Sequence, residues 1–200
     1  APATKGPRPR AAGRPLRSRM LPYGRHHVTD EDIQAVVNVL RSDWLTTGPK
    51  VEEFEEAVAD VVGARYAVAF SSGTAALHAA VFAAEIGPGD EAITTPLTFC
   101  ATANCVLYQG GRPVFADVCA DTLNLDPSAV AARITPRTKA VMPIDYAGHP
   151  ADLDALLQLT HRHGCIVIED AAHALGAQSR GRRVGSISQM TVFSFHPVKH

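Results

Sequence analysis

The chain has 200 residues, 46% hydrophobic and 20% charged, with 15 Gly and 14 Pro. This is the make-up of a globular protein and not of a disordered chain, a collagen repeat or a long coiled coil. No apolar run approaches the roughly 18 residues that span a bilayer. The net charge of −1 hides an asymmetry: Lys5, Arg8, Arg10, Arg14, Arg17 and Arg19 lie in the first 20 residues with no acid, leaving 13 basic against 20 acidic residues beyond them.

Residues 1–19 are rich in Pro, Ala and Gly and hold no aromatic residue. They read as a basic, disordered extension, or as sequence upstream of a start at Met20, and not as a nucleic-acid or membrane contact. A secretory signal needs an apolar core that is missing from this stretch. Ordered structure is expected from about Leu21. Residues 29–42 predict a helix capped by Thr29 with Asp32 three positions on, and Ile33, Val36, Val37 and Leu40 on one face. Trp44-Leu45-Thr46-Thr47-Gly48-Pro49 breaks it. A second helix over about 50–62 ends at Gly63.

An alternation follows. Strands are expected at 66–70, 91–94, 113–116, 140–144, 165–169 and 190–195, and helices over about 74–85, 99–108, from Asp126-Pro127, and over 151–162. Short apolar strands alternating with amphipathic helices predict an α/β domain with a mainly parallel sheet of five or six strands within 64–200. Ligands of such sheets gather beyond the carboxyl ends of the strands. Ser71-Ser72-Gly73-Thr74, Asp145-Tyr146, Glu169-Asp170 and the run from Ser194 to Lys199 all fall at such ends. Cys100, Cys105, Cys119 and Cys165 lack metal or disulfide spacing and read as reduced thiols of a cytosolic protein, three of them buried. His26-His27 and His161-Arg162-His163 read as surface or helix-end residues and not as a metal site. Arg180, Arg182 and Arg183 read as a basic surface turn.

Three segments carry chemistry. Phe-Ser-Ser-Gly-Thr-Ala-Ala-Leu at 70–77 opens a helix whose free N–H groups serve either as a plain cap or as an anion site; it is neither a nucleotide P-loop nor a GxGxxG turn. Asp170 closes a buried strand in Ile-Val-Ile-Glu-Asp-Ala-Ala-His, so it either caps the next helix or meets a cation such as a protonated ring nitrogen. Lys199, after a strand and a Pro-restricted turn, is either a surface lysine or one that forms a Schiff base with a carbonyl cofactor.

In this order, and with ITTPLTFCATAN, DYAGHP, EDAAHALG and FSFHPVKH, the chain resembles the pyridoxal-phosphate-dependent (PLP-dependent) sugar aminotransferases of the DegT/DnrJ/EryC1/StrS type over about residues 20–200. These belong to the aspartate aminotransferase fold superfamily. DYAG and SFHPVK look most like the pseudaminic acid branch. That resemblance implies a three-layer large domain and PLP as cofactor. It implies C4 amination of a UDP-4-keto-6-deoxy-N-acetylhexosamine with L-glutamate as donor, with perosamine-type and other nucleotide-sugar transaminases as the alternative. It implies a cytoplasmic homodimer. Lys199 would hold the cofactor as a Schiff base and move protons. Asp170 would pair with the pyridine nitrogen. Phe99 would stack on one ring face, with Ala172 or His173 near the other. Gly73, Thr74, Ala75 and Ser194 would take the phosphate. Trp44, Leu45, Thr46 and Thr47 would line the sugar-nucleotide side. Lys199 argues against the family's dehydratases, which carry His at that position. The expected organisation is a 1–19 extension, a 20–63 helical segment with the substrate loop, and a partial cofactor domain over 64–200. Because the sequence stops one residue after Lys199, an incomplete enzyme or an inactive dimerising fragment is expected, without the small C-terminal domain.

Overall fold

The computed structural model describes residues 26–199; the basic extension and the expected start near Leu21 lie outside the described residues. Helix α1 spans Asp30–Leu40, and its entry is a capping box: the Asp32 N–H bonds to Thr29 Oγ1 at 3.2 Å while the Thr29 N–H bonds to Asp32 Oδ2 at 2.7 Å. Helix α2 spans Pro49–Val62, with Pro at its first turn and a left-handed Gly63 closing it.

From α3 (Gly73–Ala83) onward the chain alternates. Strand β1 is Glu91–Thr94, α4 Ala101–Tyr108, β2 Arg112–Phe115, α5 Pro127–Ala131, β3 Thr138–Val141, α6 Leu153–His163 and β4 Ile166–Asp170. A short 3-10 turn, Tyr146–Gly148, lies between β3 and α6. After β4 come a hairpin of two-residue strands, β5 (Gln178–Ser179) and β6 (Arg182–Arg183), and then β7 (Met190–Val192). Five strands form one parallel sheet in the order β2-β1-β3-β4-β7.

The period-2 alternation of strands divides the core into two layers. Ala92, Ala140, Met142, Ile168 and Val192 face α3 and α4, against Leu77, Val81, Cys105 and Val106. Ile93, Val141 and Val167 face α5 and α6, against Leu125, Val130, Leu153 and Leu156. Helices thus cover both faces of a parallel sheet, the three-layer α/β architecture expected.

Two expectations are corrected. Residues 66–70 form no helix or strand and join no ladder among the described residues. A groove of about 860 Å³ lies beside them and runs to β7, and the Ala69 N–H bonds to Glu55 Oε1 of α2 at 2.7 Å and not to a neighbouring strand. Only two cysteines are buried, Cys105 and Cys165; Cys119 is half-buried and Cys100 exposed at the start of α4. All four are free thiols, and burial pushes Cys105 up to about 12, which disfavours a nucleophilic thiolate there.

Candidate active site

The site lies at the carboxyl ends of β4 and β7, where the starts of α3 and α4 also arrive. Asp170 is the last residue of β4 and is buried. Its Oδ2 accepts the Thr102 hydroxyl at 2.7 Å, and Thr98 Oγ1 lies 2.8 Å from Thr102 Oγ1, so the hydroxyls form a chain that ends on the carboxylate. Its Oδ1 accepts the Ala172 N–H at 3.3 Å. Burial raises the Asp170 pKa, while the Thr102 and Ala172 bonds and the nearby His173 and Lys199 pull it down. A carboxylate held this way gains from a cationic partner. Thr102 is a functional residue that local sequence does not mark, since its partner Asp170 lies 68 positions away.

His173 follows Asp170 by three residues in the turn after β4, and Lys199 arrives from the turn after β7. Lys199 Nζ is 2.8 Å from His173 Nε2. With the lysine charged, the ammonium donates and the ring accepts at Nε2, which leaves the ring proton on Nδ1. Residues 26 positions apart thus meet at the ends of neighbouring strands.

The expected phosphate end is also assembled. Ser72 caps α3, its Oγ accepting the Ala75 N–H at 3.2 Å. That bond engages one of the groups expected to serve an anion. Gly73 and Thr74, the first helical residues, have no intrahelical acceptor for their N–H groups. A Cβ on Gly73 would sit 3.3 Å from Ser194 Cβ and 3.6 Å from Ser194 Oγ, so the glycine lets the helix start and the Ser194 hydroxyl share one cradle. Backbone N–H groups, a helix N-terminus and a hydroxyl suit a phosphate dianion, and a buried carboxylate suits a protonated ring nitrogen. The residues present therefore fit a phosphorylated pyridine cofactor.

Phe99 precedes α4 and is 69% exposed, with its carbonyl accepting the Thr102 N–H at 3.2 Å. Its ring is uncovered and stands on the segment that secures Asp170. Trp44, Leu45, Thr46 and Thr47 form the exposed loop between α1 and α2, and their hydrogen bonds are local: the Trp44 N–H to Ser42 Oγ and the Thr47 hydroxyl to the Thr46 carbonyl. The structure does not bring them to Lys199. His161 and His163 lie in the last turn of α6, and Arg180 and Arg182 pair with Asp152 and Asp154. No group of three potential metal ligands occurs among the described residues, and no described helix is long and apolar enough to cross a membrane.

Comparison with known proteins places this geometry. The chain is 49% identical over 184 residues to the spore coat polysaccharide biosynthesis protein SpsC of Bacillus subtilis, covering 92% of this chain and 47% of that protein. It superposes on the PLP form of the putative sugar aminotransferase Spr1654 of Streptococcus pneumoniae with a TM-score of 0.86 at 34% identity, covering 90% of this chain and 50% of that one. It superposes on PseC of Helicobacter pylori, an aminotransferase of pseudaminic acid biosynthesis, with a TM-score of 0.84 at 36% identity, covering 89% and 48%. The chain spans about half the length of the relatives it matches. Residues 26–200 match the model of the DegT/DnrJ/EryC1/StrS aminotransferase family, and the chain belongs to that family.

Proposed function

We propose that this chain is the cofactor-binding part of a PLP-dependent, cytoplasmic transaminase that aminates C4 of a UDP-linked 4-keto-6-deoxy-N-acetylhexosamine, with L-glutamate as donor. The observation that carries the reading is the meeting of Asp170, His173 and Lys199 at the ends of β4 and β7, with the Gly73–Ser194 cradle close by. PLP, when bound, supplies an electron sink for the carbanion formed at the substrate carbon. The chain's own groups do the rest. Asp170 keeps the ring nitrogen protonated. Lys199 carries the cofactor and then moves the proton between substrate and cofactor carbons. His173 orients the Lys199 amine. Phe99 would cover one ring face, with Ala172 or His173 near the other. The N–H groups of Gly73 and Thr74 and the Ser194 hydroxyl bind phosphate, with Ala75 joining if its bond to Ser72 opens.

The 44–47 loop serves the sugar nucleotide, and residues 64–199 serve the cofactor. The exposed apolar residues Ile33, Val36 and Leu40 of α1, beside Trp44 and Leu45, support a homodimer in which this region is covered. The likeness to PseC, an aminotransferase of pseudaminic acid biosynthesis, supports a substrate of that pathway's type; perosamine-type acceptors are the competing substrates.

Adding PLP to the protein that carries this chain is expected to give a yellow complex, and borohydride is expected to fix the cofactor on the peptide that holds Lys199. Persistent colourlessness, or equal fixation on Lys199→Ala, overturns the cofactor reading. Amino transfer from glutamate to a panel of UDP-, GDP- and dTDP-keto sugars, measured with the protein that carries this chain, decides the acceptor.

A further inference from the structure

Beneath the site lie two acids that the proposed reaction does not use. Asp145 follows β3 and Glu169 is the penultimate residue of β4; both side chains are fully buried. Each has one oxygen well supplied. Asp145 Oδ1 accepts the Ala151 N–H at 2.9 Å. Glu169 Oε2 accepts the Ser188 hydroxyl at 2.6 Å and the Thr191 hydroxyl at 2.8 Å. The other two oxygens, Asp145 Oδ2 and Glu169 Oε1, are sealed from solvent without a donor. Asp145 also sits beside β4, its backbone N–H bonded at 3.0 Å to the carbonyl of Asp170, the residue next to Glu169, and the Glu169 charge is among the causes that raise the Asp145 pKa. Two carboxylates cannot both stay ionised and undonated in a dry interior, whereas a single proton between them satisfies both orphaned oxygens.

We propose that Asp145 and Glu169 share one proton, held between Asp145 Oδ2 and Glu169 Oε1, and that this pair positions His173 and Lys199. The connection runs through the Tyr146–Gly148 turn. The backbone N–H of Asp145 bonds to the Asp170 carbonyl at 3.0 Å, and Asn124 Oδ1 accepts the Tyr146 N–H at 3.0 Å. At Gly148, with φ +84°, a Cβ would lie 2.9 Å from the His173 carbonyl oxygen, so the turn is pressed against the residue that holds Lys199. On the other side, Ser188 and Thr191 tie Glu169 to β7, the strand that leads to Lys199. The titratable groups facing Asp145 are Glu169 and Asp170, both on β4, and the Ala151 N–H is the donor before α6.

The sign is fixed. Burial, and then the Glu169 charge, raise Asp145 to about 8. The unfolded chain releases this proton near the ordinary 3.8, so folding takes up a proton between the two values. The stabilisation is fully present below the lower value and is lost as pH rises through the upper one.

The catalytic consequence rests on the proposed function; the shared proton does not, so it is tested on the chain without cofactor. In Asp145→Asn, the amide donates permanently to Glu169 Oε1. Unfolding of the wild-type chain and of this variant is followed from about pH 5 to about pH 9. The ratio of wild-type to variant folding constants is expected to fall about tenfold per pH unit up to about pH 7 and to level off near pH 8. A ratio independent of pH overturns the shared proton. Infrared spectra give a second measure if the variant does not fold. At neutral pH the wild-type chain is expected to show a protonated-carboxyl carbonyl band that Asp170→Asn retains and alkali removes; absence of the band overturns the proposal. The positioning role is read from the His173 ring resonance. It is expected to shift with the midpoint of the acid pair in wild type but not in Asp145→Asn, and a resonance that moves identically in both overturns that role.

Discussion

The two ends of the parallel sheet treat buried acids in opposite ways. At the amino end, Glu91 opens β1 with its side chain 1% exposed, and donors surround it: the Arg112 guanidinium, Arg137 Nε at 2.8 Å and the Thr135 hydroxyl at 2.8 Å. These hold its carboxyl down at about 2. At the carboxyl end, Asp145, Glu169 and Asp170 are equally buried with no arginine among their partners, and Asp145 and Asp170 are pushed up. Burial is common to both ends; the supply of cations is what differs. An acid whose charge is already matched holds strands together. An acid left short of positive charge is ready to receive a cation or a proton, and this is the end where Lys199 and the phosphate cradle lie.

The largest expected effect comes from breaking the underpaired end. Asp170→Ala removes the one carboxylate that Thr102 and Ala172 present to the site. Turnover by the protein that carries this chain is expected to drop by about a thousandfold or more. PLP affinity, followed by absorbance, should weaken alongside it. A variant that retains both places the ring nitrogen elsewhere.

Breaking the matched end should act on stability alone. Glu91→Ala strands Arg112, Arg137 and the Thr135 hydroxyl and is expected to cost about 2–3 kcal/mol in urea unfolding, at the lower end for a buried pair because both arginines are largely exposed. Cofactor affinity should not change. Because the folded-state pKa is depressed from 4.5 to about 2, the stabilisation is present above the unfolded value and lost as pH falls through the folded one, the reverse of the Asp145 case.

Much of the carboxyl end was legible because its residues are consecutive: Glu169-Asp170, His173 and Ser194 to Lys199 follow apolar runs that read as strands. The amino end was not. Arg112 and Arg137 lie 21 and 46 positions from Glu91, and only the register of three strands brings them together. The Asp145–Glu169 pair was hidden for the same reason, although each acid marked a strand end. Residues 66–70 carry strand-forming side chains, but whether such a segment becomes a strand depends on a neighbour, and local sequence cannot report the groove beside it. The β5–β6 hairpin is too short to leave a period. Three buried cysteines were expected and two are buried, because cysteine predicts burial by type, whereas Cys119 sits in the loop before α5 and Cys100 at the exposed start of α4.

A smaller effect sharpens the carboxyl end. Thr102→Val keeps the shape of the α4 start but removes the hydroxyl that donates to Asp170. The Asp170 pKa should rise further, since a bond favouring its charged form is lost. PLP affinity is expected to weaken by roughly tenfold, about 1.5 kcal/mol, in an absorbance titration. Thr102→Ser should restore it; failure of the serine to do so would assign the effect to packing.

The smallest effect is expected where charges are matched but exposed. Asp154, in the first turn of α6, bonds to Arg180 Nη1 at 2.7 Å and to Arg182 Nη2, and those bonds lower its pKa just as the arginines lower Glu91. Water and salt compete for all three side chains, and fixing two arginines costs rotamer entropy. The Asn of Asp154→Asn still presents an oxygen to the guanidinium groups near the helix start. Unfolding midpoints of Asp154→Asn and wild type should therefore coincide at physiological salt, and raising the salt should leave them together. If the variant instead lost as much stability as Glu91→Ala, then the number of arginine partners, and not burial, would set the strength of the matched end. The contrast between the two ends of the sheet would have to be rebuilt on charge alone.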